Sequence, residues 1–256
     1  MTKRATTISE QIELLKSRGM AIPDEHKAEE ILMDIGFYRL GFYAFPFEKD
    51  FPCLENRSHK YKSGTSFTDV VDLYYFDYDL RKILTYYLNR IEVNLRTYIT
   101  YTVSNHYKES PTWFVDSNIM NYKYIEDFEE KVYKTIRENP IIKRHHNKYI
   151  RDKFAPAWKT IEFMTLGNIC SLFHNLKDKD LQTDIAKHYK CGRGVFLNYI
   201  ETIRVIRNYC AHGNCIYHIQ LPKAIKSTPH VPISGSSRHN IRGIVSVVEY
   251  ILGTVS

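Results

Sequence analysis

The stretch SFTDVVDLYYFDYDLRKILTYYLNRIEVNLRTYITYTVSNH, residues 66–106, holds neither proline nor glycine. Leu80, Leu84, Tyr87, Leu88, Ile91, Leu95, Tyr98 and Thr102 recur at intervals of three and four, the spacing that gathers side chains on one face of a helix with 3.6 residues per turn. A single helix is expected from Ser66 or Thr68 to about His106, long enough to serve as a spine. Because this one segment is helical over such a length, it decides the fold class: strand-like alternation is nearly absent elsewhere, and the chain reads as an all-α bundle.

Further helices follow from caps and breakers on either side of the spine. Ser9 can cap a short helix ending at Arg18 before Gly19, and Asp24 after Pro23 starts a second that runs to Gly36. The aromatic stretch FYRLGFYAFPFEKDF (37–51) and a polar run to Gly64 complete an N-terminal segment, residues 1–65, read as a helical and aromatic extension of the domain at 66–256. The two can equally form one continuous domain with a basic insertion at about 110–155. Beyond the spine, helices are expected at Tyr122–Glu138, Ala157–Leu176, Asp178–Tyr189, Val195–His212 and Asn240–Leu252. No internal repeat or low-complexity tract is visible.

Composition narrows the partners. The net charge of +7 favours a polyanion such as nucleic acid. The 20 tyrosines fit either base stacking or a helical core with wet edges. No apolar run is long enough to span a bilayer, and the basic N-terminus is followed by no apolar stretch. Five scattered cysteines, Cys53, Cys170, Cys191, Cys210 and Cys215, form no disulfide framework. These features predict a cytoplasmic protein without membrane contact.

One residue breaks the helical pattern near the end of the chain. In IRVIRNYCAHGN (203–214), Phe196, Ile200, Ile203, Ile206 and Cys210 form an apolar stripe, and Arg207 falls inside it. Burying a guanidinium there is costly unless something pairs with it. Arg207, Asn208 and His212 together spell R-N-x-x-x-H at a helix end.

That pattern resembles the signature of the HEPN superfamily. The ordered segments FTDVVDLYYFDYDLRKIL (67–84), NRIEVNLRTYI (89–99), PAWKTIEFMTLGNICSLFHNL (156–176) and VIRNYCAH (205–212) resemble successive blocks of the Abi-like family of bacterial abortive-infection proteins (AbiD/AbiF type). ISEQIELLKSRGMAI (8–22) and ILMDIGFYRLGFYAFPF (31–47) match the opening block, so the resemblance covers about residues 8–217. It implies a HEPN-type helical bundle, a homodimer, phage defence and action on RNA, whether cellular, phage or a cognate noncoding RNA.

The chemistry can be derived independently. RNA is cut without metal when its 2′-hydroxyl is deprotonated and attacks the adjacent phosphorus while the 5′-oxygen leaves with a proton. His212 would supply the group that titrates near neutrality and Arg207 a bidentate cation for the phosphate, with Asn208, four residues before His212, orienting the imidazole or a phosphate oxygen. Five residues separate Arg207 from His212, a rotation of about 140° on a helix, so two copies facing across a twofold axis would assemble the site better than one. The plainer readings are that Arg207 pairs structurally with Glu92 or Glu162, and that His212 is a last-turn cation before a C-terminal Gly213.

Other residues fill out this expectation. On the spine, Arg81, Glu92 and Arg96 lie along one edge; Glu92 and Arg96 are expected to form a structural i,i+4 ion pair, and the alternative is that Glu92 orients Arg207 or His212 instead. The run IIKRHHNKYIRDK (141–153) offers Lys143, Arg144, Lys148, Tyr149, Arg151 and Lys153 as a phosphate-tracking face or a merely solvated one. Trp158 is expected in the core rather than as a base-stacking platform. His188, Cys191, Cys210, His212 and Cys215 have irregular spacing for zinc, so no metal is assigned; nor is any small-molecule cofactor. The chain reads as a metal-independent endoribonuclease, with a noncatalytic holder of structured RNA as the alternative.

Overall fold

The computed structural model describes residues 4–255. Among them the regular elements are helices, and β-pairing is confined to isolated bridges such as Ala21 with Ser66. The all-α expectation holds. No described helix is long and apolar enough to cross a membrane. The described residues fall into two compact units, one up to Lys82 and one from Ile83.

In the first unit, α1 (Ile8–Ser17) and α2 (Glu25–Ile35) pack through Ile12, Leu15, Ala28 and Leu32, all buried. The first cap is Thr7 rather than Ser9: its hydroxyl accepts from the Glu10 amide while the Glu10 carboxylate accepts from the Thr7 amide at 2.8 Å. This reciprocal capping box satisfies two donors that Ser9, already inside the helix, would leave open. Asp24 caps α2 as expected. The aromatic stretch folds into α3 (Phe37–Ala44) and a short 3-10 turn. Arg81 leaves the line of Glu92 and Arg96 and instead binds buried Asp77 and, at 3.0 Å, the Tyr43 hydroxyl.

The spine, α4, spans Phe67–His106 without interruption. Within the second unit its buried stripe is Leu84, Leu88, Ile91, Leu95, Ile99 and Val103. Tyr87 is exposed, and the stripe runs through Ile99 and Val103 rather than Tyr98 and Thr102. After buried Trp113 and Phe114 the chain enters α5 (Tyr122–Phe128), which passes through a π-turn at Glu129–Tyr133 into α6 (Lys134–Arg137). Then α7 (Pro140–Lys148) begins with proline at its first turn, where no amide is needed.

The helix expected over Ala157–Leu176 is broken. A short α8 (Ala157–Thr160) and a 3-10 turn end at Met164, whose backbone is extended, and Thr165 then caps α9 (Leu166–Asn175) by accepting from the Asn168 amide. The break needs no proline because a threonine side chain can compete with the helical ladder for backbone donors. Next come α10 (Lys179–His188), α11 (Arg193–Ala211) and α12 (Ile241–Leu252). The helix α11 packs against α9, α10 and α12, and buries Phe196, Tyr199, Ile200, Ile203 and Ile206.

The helix α12 also has a backbone that cannot carry a side chain at one point. A β-carbon on Gly243 would overlap the Ser237 carbonyl oxygen and lie 3.1 Å from Ile225 Cδ1. Glycine to alanine in an unobstructed helix interior stabilises by about 1 kcal/mol. Here Gly243→Ala should do the opposite and lower the urea midpoint of unfolding, whereas a raised midpoint would refute this packing.

Candidate functional site

Arg207 lies in the last two turns of α11, and its side chain is 32% exposed. Its Nε donates to Glu92 Oε2 at 3.0 Å. The other oxygen, Glu92 Oε1, accepts from Arg96 Nη2 at 3.0 Å, and the same Nη2 donates to the Met164 carbonyl at 3.0 Å. That carbonyl is available because the chain is extended at Met164, between the 3-10 turn and α9. Three elements thus meet at Glu92, whose side chain is 10% exposed.

One carboxylate faces two guanidiniums, so the cluster keeps a net positive charge. The terminal nitrogens of Arg207 make no hydrogen bond among the described residues. Glu92 fixes the guanidinium plane through Nε and leaves the terminal fork toward solvent, the geometry in which arginine takes a carboxylate or phosphate. Glu92 makes the expected pair with Arg96 and a second one with Arg207. Its contact is with Arg207 and not with His212, and Glu162 makes no ion pair with Arg207.

His212 is the C-cap of α11. Its amide donates to the Asn208 carbonyl at 3.0 Å, the Gly213 amide to Cys210, and the Asn214 amide to Tyr209 at 2.9 Å, with Gly213 at φ +65°. These bonds form a Schellman motif, which consumes the last carbonyls of the helix. The imidazole is held at a rigid helix end yet exposed, with no side-chain hydrogen bond among the described residues. Asn208, half-buried, lies one turn before it.

The basic run is only partly exposed. His145 is buried against Asp152 at 3.1 Å, and His146 takes the Tyr133 hydroxyl at 2.8 Å. Lys143 and Lys153 pair with Glu138 and Glu129. Arg144, Lys148 and Arg151 are exposed and make no ion pair among the described residues, Lys148 lying 5.2 Å from the centre of the exposed Tyr149 ring. None of the run bonds to Arg207 or His212.

Two features escaped the sequence. A cleft of about 660 Å³ beside α11 is lined by His174, Glu201, Arg204, Lys223 and Lys226. Arg204 donates to Glu201 at 2.9 Å, and this guanidinium holds the Glu201 carboxyl below its usual range. The i,i+3 spacing of Glu201 and Arg204 was readable, but the approach of Lys223 and Lys226 depends on an irregular loop. Cys170 also lines this cleft, with its thiol pushed up to about 12 by burial, and so is no thiolate at neutral pH. Second, Trp158 is not in the core: it is 57% exposed.

For metal, no cluster of three or more His, Cys, Asp or Glu among the described residues could hold an ion. His188 instead stacks on Tyr98, and the Cys191 thiol lies against the Ala186 carbonyl.

A family model, Abi-like protein, matches residues 30–218. The chain belongs to the Abi-like family. The match takes in the spine, the Glu92 cluster, the broken helix and the His212 helix end, which places the whole candidate site inside the family region. No curated protein and no solved structure matches the chain.

The Glu92 cluster can be tested without any substrate. In a double-mutant cycle of Glu92→Ala and Arg207→Ala, the coupling free energy should be about 1 kcal/mol, as for half-buried charged neighbours. Purely additive losses in urea unfolding would show that the two side chains do not act together.

Proposed function

We propose that this Abi-like protein is a metal-independent endoribonuclease acting in abortive infection, the response associated with its family. The observation that carries the reading is an arginine oriented by Glu92 through Nε alone, with its terminal fork unspent, on the same helix as an exposed histidine.

In the proposed reaction His212 takes the 2′-hydroxyl proton, O2′ attacks the adjacent phosphorus, and the P–O5′ bond breaks as the 5′-oxygen takes up a proton. The products are a 2′,3′-cyclic phosphate and a 5′-hydroxyl. Arg207 neutralises the charge that builds on the phosphoryl oxygens, and Asn208 orients the imidazole or an oxygen. Because Arg207 and His212 diverge on one helix, the proposed unit is a homodimer with the two helix ends facing one cleft. A second His212 then stands ready to protonate the leaving oxygen. Wild-type protein incubated with total RNA in EDTA should yield cyclic-phosphate ends, and both Arg207→Ala and His212→Ala should lower the rate by a hundredfold or more. Cleavage that persists in the His212→Ala protein would end this reading.

A noncatalytic RNA-holding function is the second reading, favoured by the unpaired cations Arg144, Lys148 and Arg151. Reversing those three charges should weaken RNA binding and flatten its salt dependence, since each phosphate contact contributes about one unit to the slope. Unchanged binding at every salt concentration would remove this surface from consideration.

A further inference from the structure

The exposure of Trp158 is built rather than incidental. The residues around it are pinned: Ala157, Thr160 and Ile161 are fully buried, the Ala157 amide donates to Pro111 at 2.8 Å, and the Thr160 hydroxyl binds the Ala155 carbonyl at 2.8 Å. Trp158 is therefore held outward by a rigid support. It lines a cleft of about 340 Å³ together with Tyr101, which is 67% exposed, and with Arg96, Thr100, Asn105 and Glu162. That volume lies within the range of small-ligand pockets.

Several polar groups of the cleft keep unused hydrogen-bonding capacity. Arg96 Nε and Thr100 Oγ1 are buried without a hydrogen-bond partner. Asn105 uses its amide nitrogen on the Tyr101 carbonyl, which leaves its oxygen available, and Glu162 is exposed with no ion pair among the described residues. Buried polar atoms are nearly always satisfied, so two orphans on side chains that line one cleft set it apart from the rest of the surface. Two exposed aromatic rings supply stacking faces, as in sites that bind unpaired bases. The carboxylate at the rim accepts hydrogen bonds and repels phosphate, so it faces the base and not the backbone. Of the four bases, guanine alone presents two adjacent donors, N1–H and the 2-amino group, to a carboxylate, and it keeps O6 and N7 as acceptors for a guanidinium N–H or a hydroxyl.

We propose that this cleft is a base-recognition subsite that stacks an unpaired guanine of RNA on Trp158 and Tyr101 and reads it through Glu162. The inference rests on the RNA-directed reading above and gives that site its substrate preference. Arg96 links the two places: it lines the cleft while its Nη2 donates to Glu92, which accepts from Arg207. A base seated in the cleft bears on the same carboxylate that orients the phosphate-facing arginine.

The protein contains two tryptophans, and Trp113 is fully buried, so quenching by a soluble ligand reports on Trp158. The probes are 2′-O-methyl pentanucleotides, UUGUU against UUAUU, UUCUU and UUUUU, which lack the attacking hydroxyl and cannot be cut. UUGUU should quench tryptophan emission and bind at least tenfold more tightly than the others. Trp158→Ala should remove the quench and weaken binding by about tenfold or more. Glu162→Gln should level the base preference while the quench persists. Equal binding of all four probes, binding without quenching, or a blue shift of emission that grows with protein concentration and shows a second copy covering Trp158 would each overturn the proposal. RNA cleavage without quenching would remove the subsite alone, and quenching without cleavage would remove the ribonuclease reading alone.

Discussion

Glu92 sits between two guanidinium groups, and the candidate site depends on that shared carboxylate. Each of its oxygens takes one arginine, so the spine helix, the break at Met164 and the end of α11 are tied at one point. A lone guanidinium at this depth would carry a desolvation penalty of several kcal/mol, and a neutral helix face would pack as well. The arrangement instead retains two cations around one anion. Its residual positive charge is what a polyanion would meet, and the orientation of Arg207 follows from it.

Much of this was readable from residue spacing. Period 3.6 located the helices, because most buried positions on α4 and α11 are apolar and recur at three or four. R-N-x-x-x-H located the helix end. What spacing does not encode is pairing across distance. Glu92 and Glu162 were both available to Arg207, and only the folded chain, which brings together residues 115 apart in sequence, selects the first. Local competition was also hidden: Thr165 interrupts an otherwise helical pattern with one hydroxyl. Trp158 looked like core because tryptophan usually is. Its exposure follows from the direction in which α8 leaves Pro156, a tertiary property that no pattern of neighbours reports.

The distribution of charge is as informative as its amount. A run of five Lys or Arg within residues 141–153 invites the picture of a uniformly basic helix. Two of the lysines are offset by nearby glutamates, and both histidines point inward to Asp152 and Tyr133. The usable cations are fewer than the sequence suggests. Meanwhile Lys223 and Lys226, unremarkable in an irregular loop, join Arg204 and His174 in one cleft beside α11.

The 115-residue separation of Glu92 and Arg207 also bears on biosynthesis. At roughly 5–20 residues per second, a ribosome needs roughly 6–23 s to pass from one to the other. Until α11 is made, Glu92 can pair with Arg96 but not with Arg207. A chain truncated before α11 lacks Arg207, and with it the ion pair that ties the spine to that helix.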